Sequence, residues 1–171
     1  MAIRQRVLEM LGAANLPEVN SLEIEPHSER VRYEARRALR DIMPPLGDLP
    51  SQVYWLTEAV RVLWEALEEE KETHQSVCGA EEEFAEAARL ETSPDKIREY
   101  ELEVRYYRNL ALEAEKAQAL LYSDLERIKS LILTEVLGDS EAQMLCVEYR
   151  AIFAVNKQIR IFYPDGKVIT L

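Results

Sequence analysis

The 171-residue chain carries 32 acidic against 21 basic side chains, for a formal net charge of -11, and is 47% apolar and 31% charged. That is the composition of one globular unit. Its surface on average repels phosphate backbones and anionic lipid, so direct nucleic-acid binding is disfavoured. No stretch approaches the ~20 consecutive apolar residues of a bilayer span, and the opening segment, with Arg4, Arg6 and Glu9, is charged where a signal peptide is apolar. The expectation is a chain with no membrane contact, acting in the cytoplasm or in an assembly formed there. Cys78 and Cys146 stand far apart, with no CxxC and no paired histidines, so neither a disulfide framework nor a zinc site is expected.

Ile3, Val7, Met10 and Leu11 share one helical face that stops at Gly12, which predicts a short docking helix with a glycine cap. Pro17, Asn20 and Pro26 then break the periodicity, and Leu22 and Ile24 read as a short extended piece. A second helix is expected from an N-cap at Ser28 to about Met43, turning Val31, Ala35, Leu39 and Ile42 inward. A stiff connector from Pro44 to Pro50 follows, with Ser51 as the cap of the next element. Residues 1–50 thus read as docking helices plus a Pro-rich connector.

From Ser51 to Glu91 apolar positions alternate at spacings of three and four: Val53, Leu56, Val60, Leu63, Leu67, then Val77, Phe84 and Ala88, with Glu70, His74 and Glu81 as polar exceptions. A second series runs Ile97, Tyr100, Val104, Tyr107, Ala111, Ala114, Gln118, Leu121, Leu125, Ile128 and Ile132. Between them Thr92-Ser93-Pro94-Asp95 restarts the helix, with serine as cap, proline at the first helical position and aspartate complementing the dipole. Folding the two stretches back on each other with one constant offset sets Leu56 against Ile132, Val60 against Ile128, Leu63 against Leu125 and Leu67 against Leu121. It also sets Glu70 against Gln118 as one polar layer and Phe84 among Tyr100, Val104 and Tyr107 near the turn. Residues 51–137 therefore read as an antiparallel helical hairpin, whose arm beyond the polar layer extends roughly 30 Å at ~1.5 Å per residue. Extra apolar positions at the far end (Trp55, Ala59, Val62 and Ala66, then Leu120, Leu131, Leu133 and Leu137) call for a cover.

In residues 138–171, Ser140 to Tyr149 is ambiguous: a capping-box pattern at Ser140 and Gln143 favours a short helix, while Met144 to Val147 could equally begin a strand. Alternation through Ile159, Ile161 and Tyr163, then Pro164-Asp165-Gly166 and Val168-Ile169, predicts a β-hairpin, extended to three strands if Ala151 to Val155 joins. The expected fold class is mainly α: a long antiparallel two-helix coiled-coil hairpin, two short N-terminal helices, and a small C-terminal β-hairpin or three-stranded meander. The β element is expected to pack on the helical base.

Chemistry is sparse. Neither His27 nor His74 has an acid three residues earlier, as di-iron carboxylate helices require. Glu65 and Glu68 match the first half of the Glu-x-x-Glu and Glu-x-x-Asp pattern of helical nucleotide pyrophosphohydrolases, but the second half is missing. No phosphate-binding glycine loop and no GxSxG occur, and the two histidines lack a cysteine or serine partner in any recognisable catalytic arrangement. No catalytic, cofactor-binding or metal residues are assigned, and no enzyme activity is expected. Arg30, Arg32, Arg36, Arg37 and Arg40 make the second helix basic. The plain reading is that they pair with glutamates of the hairpin; the functional readings are an acidic protein or, less favoured, a nucleic-acid backbone.

A helical base bearing a coiled-coil arm with acidic residues at its turn resembles the bacterial factors that insert such an arm into the RNA polymerase secondary channel. The resemblance is architectural, covers residues 51–137, and departs from those factors in that 50 residues precede the arm. It implies a regulator acting through Glu91 and Asp95 at the tip. The leading expectation is instead a non-enzymatic interaction or assembly module, in a virion or other multi-subunit complex, that binds a protein partner or itself. Candidate partner-binding residues are Arg30, Arg36, Arg37 and Arg40 on the second helix, Glu91 and Asp95 at the tip, and Tyr106 on the flank of the arm.

Overall fold

The computed structural model describes residues 2–138, 144–147 and 149–171. Four helices, α1 (Ile3–Met10), α2 (His27–Asp41), α3 (Leu49–Leu90) and α4 (Pro94–Leu131), precede four strands, β1 (Met144–Val147), β2 (Arg150–Val155), β3 (Gln158–Phe162) and β4 (Val168–Thr170). The two long helices form the expected antiparallel hairpin. Leu56, Val60, Leu63 and Leu67 meet Leu121, Leu125, Ile128 and Ile132 in a block where no residue is more than 2% exposed. Burial of each such side chain contributes about 1.5–3 kcal/mol. Further along, Gln118 Nε2 donates to the Glu70 carbonyl at 3.4 Å and Arg108 Nε donates to Glu81 at 2.9 Å. Near the turn Phe84 stacks on Tyr107 at 5.6 Å and tilts against Tyr100 at 6.1 Å. One offset therefore runs the length of the seam. In the arm the seam residues from Val77 to Ala88 are only half-buried, because two helices alone leave both flanks of their interface open.

Local starts and stops differ from expectation where a tertiary acceptor intervenes. Helix α2 begins at His27 after Pro26, so Ser28 lies in its first turn rather than capping it. Helix α3 begins at Leu49, and the Ser51 hydroxyl instead accepts the Leu46 N–H at 2.8 Å, closing the connector. Ser93 makes no side-chain cap. The Glu91 carboxylate instead braces the turn ahead of the helix, accepting the N–H groups of Thr92 at 2.8 Å and Ser93 at 3.0 Å. The extended piece expected at Leu22 and Ile24 is a 3-10 turn over Ser21–Glu23, initiated by the Asn20 carboxamide oxygen accepting from the Leu22 N–H. Helix α4 ends in a π-helical turn, Ile132–Val136, and Gly138 then adopts a left-handed φ of 58°.

The short helix expected at Ser140 to Tyr149 is replaced by β1, which pairs antiparallel with β2 from Met144 opposite Phe153 to Val147 opposite Arg150. Residues 139–143 and 148 fall outside the described residues. The β element is thus a four-stranded antiparallel meander, one strand more than the largest expected. The reason is non-local: β2 presents an unpaired edge, and the apolar run Met144 to Val147 satisfies it. Asn156 and Lys157, with φ of 51° and 63°, form the two-residue β2–β3 turn whose twist matches the strands.

Helix α3 is the centre of the core, covered by α1, α2 and α4 and by the inner face of the sheet through Ile152, Ile159, Ile161 and Ile169. Trp55 and Ala59, on the second stripe, are fully buried there. Polar contacts fix the sheet on α3. The Tyr163 hydroxyl donates to the Thr57 carbonyl at 2.6 Å. The buried Arg150 donates to Thr57 Oγ1 at 3.2 Å, pairs with Glu58 and lies 4.1 Å over the Tyr54 ring. Burial pushes the Tyr163 phenol far above its ordinary range, so it stays a donor. In urea denaturation, Leu63→Ala is expected to cost about 2–5 kcal/mol, whereas Leu102→Ala, on the exposed flank of the arm, is expected to stay within about 0.5 kcal/mol of wild type.

Candidate functional site

The N-terminus of α2 docks on the hairpin through two carboxylates. His27 Nε2 lies 3.0 Å from Glu70 Oε2, and Glu70 is 6% exposed. One α4 carboxylate oxygen, Glu113 Oε2, accepts from Ser28 Oγ at 2.7 Å and from the Ser28 N–H at 3.3 Å, while Lys116 holds Glu113 Oε1 at 2.7 Å. Lys116 first, then Ser28, hold the Glu113 carboxyl below the usual carboxylate range. Negative charge at the end of α2 complements its dipole and its unpaired first-turn N–H groups. The expected Glu70–Gln118 layer is therefore present in altered form: Gln118 reaches the Glu70 backbone, and the carboxylate serves α2 instead.

The basic face of α2 is divided: Arg30, Arg32 and Arg36 are half-buried, whereas Arg37 and Arg40 are exposed. Arg30 donates to the Ile24 carbonyl at 3.3 Å and pairs with Glu25 at 3.1 Å, and Arg40 reaches the Leu16 carbonyl at 3.4 Å. Among the described residues no ion pair joins an α2 arginine to a glutamate of the hairpin. Arg32 and Arg36 instead lie in the field of Asp124 on α4, together with Arg127. Asp124 is 2% exposed and its Oδ2 has no hydrogen-bond partner. Burial raises its pKa, and Arg36, Arg32 and Arg127 oppose that rise. Gly12 turns the chain beside the Arg36 guanidinium at a left-handed φ of +69°, and that conformation is what favours glycine there. Arg37 is exposed beside Tyr33, Asn20 and Asp41.

At the arm tip Glu91 is engaged by the turn, and the two N–H groups hold its carboxyl below the ordinary range. Asp95 is exposed in the first turn of α4. Tyr106 is 56% exposed, with its ring edge-on to Tyr107 at 5.3 Å. One histidine does have a cysteine neighbour: Cys78 Sγ lies 3.7 Å from His74 Nε2, which also meets Glu115 Oε1 at 2.9 Å. Their spacing of four along one helix was the signal. A thiol–imidazole–carboxylate relay needs thiol and carboxylate on different ring nitrogens. Cys78 Sγ is also 4.0 Å from Nδ1, so the thiol stands beside the ring with neither nitrogen singled out, while the carboxylate holds Nε2. No group of three or more His, Cys, Asp or Glu among the described residues is placed to hold a metal ion.

A surface that sequence reasoning did not single out is the outer face of the sheet. Met144, Cys146, Phe153, Val155, Phe162 and Val168 all point away from α3 and are exposed. The pairings Met144–Phe153, Ala151–Phe162 and Phe162–Val168 make them one continuous apolar patch. The signal lay in strands that are apolar at both parities, such as Ile152-Phe153-Ala154-Val155 and Ile161-Phe162-Tyr163, a pattern typical of sheets covered on both sides.

Searches of protein-family models, curated proteins and solved structures find no match to this chain. Among the described residues no helix is long and apolar enough to cross a membrane.

The depressed Glu113 carboxyl sets a pH dependence. Its contribution to stability is complete above the ordinary glutamate pKa of about 4.3 and is lost as the pH falls through the lower folded value. Glu113→Gln is expected to lower stability by about 1 kcal/mol at neutral pH, and the difference from wild type should shrink toward zero in more acidic buffer. A difference that stayed constant across a pH series of urea melts would contradict the assigned role.

Proposed function

We propose that this chain is a non-enzymatic protein–protein interaction or assembly module that docks on a larger complex, of which a virion or another multi-subunit machine is an example. The observation that carries the reading is the bare apolar face of the sheet. Six large or medium apolar side chains stand exposed on one surface whose opposite side is fully packed. Contiguous apolar patches of this kind on a charged protein mark contact sites. Arg30 and Arg36 are half-buried and engaged within the chain, while Arg37 and Arg40 stand exposed, which leaves α2 a smaller share of the docking than the sheet and the arm.

The test is capture of the tagged chain from its native host, with hydroxyl-radical footprinting of the complex against the isolated chain. The expected result is a stoichiometric companion, or the chain itself, that protects Phe153, Phe162 and Met144. A strictly monomeric chain with no stoichiometric companion, its sheet face equally oxidised in both samples, would overturn the proposal.

A second reading, a regulator of a nucleic-acid enzyme such as RNA polymerase acting through the arm, is supported by the exposed acid Asp95 at the tip. Asp95→Ala is expected to abolish such an effect in a transcription assay, and an unchanged effect would remove the idea.

A further inference from the structure

The bare sheet face and the arm of this chain are complementary in shape class and charge. Of the outward-facing side chains on the described strands only Arg160 is charged, and Lys157 stands in the adjoining turn. In a chain of net charge -11, residues 150–171 carry Arg150, Lys157, Arg160 and Lys167 against Asp165. The cover for this face is therefore apolar and acidic. A second sheet face is a poor match, since it would bring Arg160 toward its own copy and leave both cations unanswered.

The arm has the missing character. On α4, Leu102, Tyr106, Glu113, Ala117 and Asp124 fall at intervals of four and seven, hence on one stripe. Helix α2 covers the lower part of this stripe, with Ser28 on Glu113 and Arg36 facing Asp124. Above the end of α2 the stripe continues uncovered: Tyr106 is 56% and Leu102 64% exposed. Exposed Asp95 extends it toward the tip, exposed Glu99 and half-buried Glu103 flank it on one side, and exposed Arg98 and Arg105 flank it on the other, so the acidic flank is the one that can answer the cations of the sheet. A helix with an apolar stripe laid on an apolar sheet face is ordinary two-layer packing.

We propose that the outer sheet face of one copy receives the arm of a second copy, Leu102 and Tyr106 packing on Phe153 and Phe162 while Glu99 and Glu103 answer Arg160 and Lys157. This rests on the interaction-module reading and names its partner. The sheet is fixed on the base half of α3, through Thr57 and Glu58, whereas Leu102 and Tyr106 lie toward the arm tip. Each copy therefore offers two different surfaces, the contact is heterologous, and copies add head to tail.

The experiment uses the full chain in sedimentation velocity over a wide concentration range, with two variants. Phe162→Glu spoils the sheet face, and Leu102→Glu combined with Tyr106→Glu spoils the arm. All three positions are exposed, so each variant is expected to keep the wild-type circular dichroism and melting curve. Wild type is expected to form species larger than a dimer, and each variant to be monomeric, its association weakened about 30-fold or more. Mixed in equal amounts, the two variants are expected to form a single heterodimer through their intact surfaces, and nothing larger. Arg160→Glu, which leaves the apolar face in place, is expected to weaken wild-type association as well. A monomeric wild type, an arm variant that associates like wild type, or a mixture that stays monomeric would each overturn the head-to-tail contact. If wild type is monomeric but a foreign companion protects Phe162 in the footprint, the broader interaction reading survives and only this inference falls.

Discussion

The single offset between α3 and α4 is the constraint from which the rest of the structure follows. Its aliphatic block, Leu56 to Leu67 against Leu121 to Ile132, excludes water completely and leaves one antiparallel alignment that buries every member. Sliding either helix by one turn would set Glu70 or Gln118 among leucines, at the cost of a buried polar group without its partner. With the alignment fixed, Glu70 and Glu113 are brought side by side on neighbouring helices, although they are far apart in the chain. That pair of carboxylates is the receptor on which α2 is seated.

Much of the electrostatics of this acidic chain is internal. The α2 N-terminus takes up two glutamates, Arg30 and Arg40 close the loop that precedes the helix, and Arg36 with Arg32 offsets the burial of Asp124. A buried carboxylate near three guanidinium groups, yet with one oxygen unpartnered, is held by field rather than by direct hydrogen bonding at that atom. Breaking such a node by removing one member leaves uncompensated charge inside, so it specifies how α2 and α4 face each other more than it adds stability. On the other side of α3 the same logic places Arg150 between Thr57, Glu58 and the Tyr54 ring, anchoring the sheet.

The sheet gains its inner cover from α3 and has no outer cover among the described residues. A four-stranded meander with apolar residues on both faces is not a stable end state for a surface in water, and this is the physical motive for reading the molecule as one part of an assembly. The arm is the converse case. Being only two helices thick, it keeps its seam half-buried and leaves Leu102 and Tyr106 outside any contact with α2.

The sequence by itself determined what depends on local order along the chain. The three-four spacing defined both long helices and their offset, Thr92 to Asp95 marked the turn, and Asp165-Gly166 marked the last strand connection, because periodicity and turn chemistry are carried by neighbouring residues. Only the tertiary structure decided what depends on distant partners. His27 finds Glu70 across 43 positions and Ser28 finds Glu113 across 85, so no local pattern reports that Ser28 has given up a capping role. Met144 to Val147 reads equally as helix or strand until the edge of β2 supplies its hydrogen bonds, and the bareness of Phe153 and Phe162 exists only once α3 has taken the other face. Backbone pairing and burial are properties of what lies alongside in space, and that is information the chain acquires only by folding.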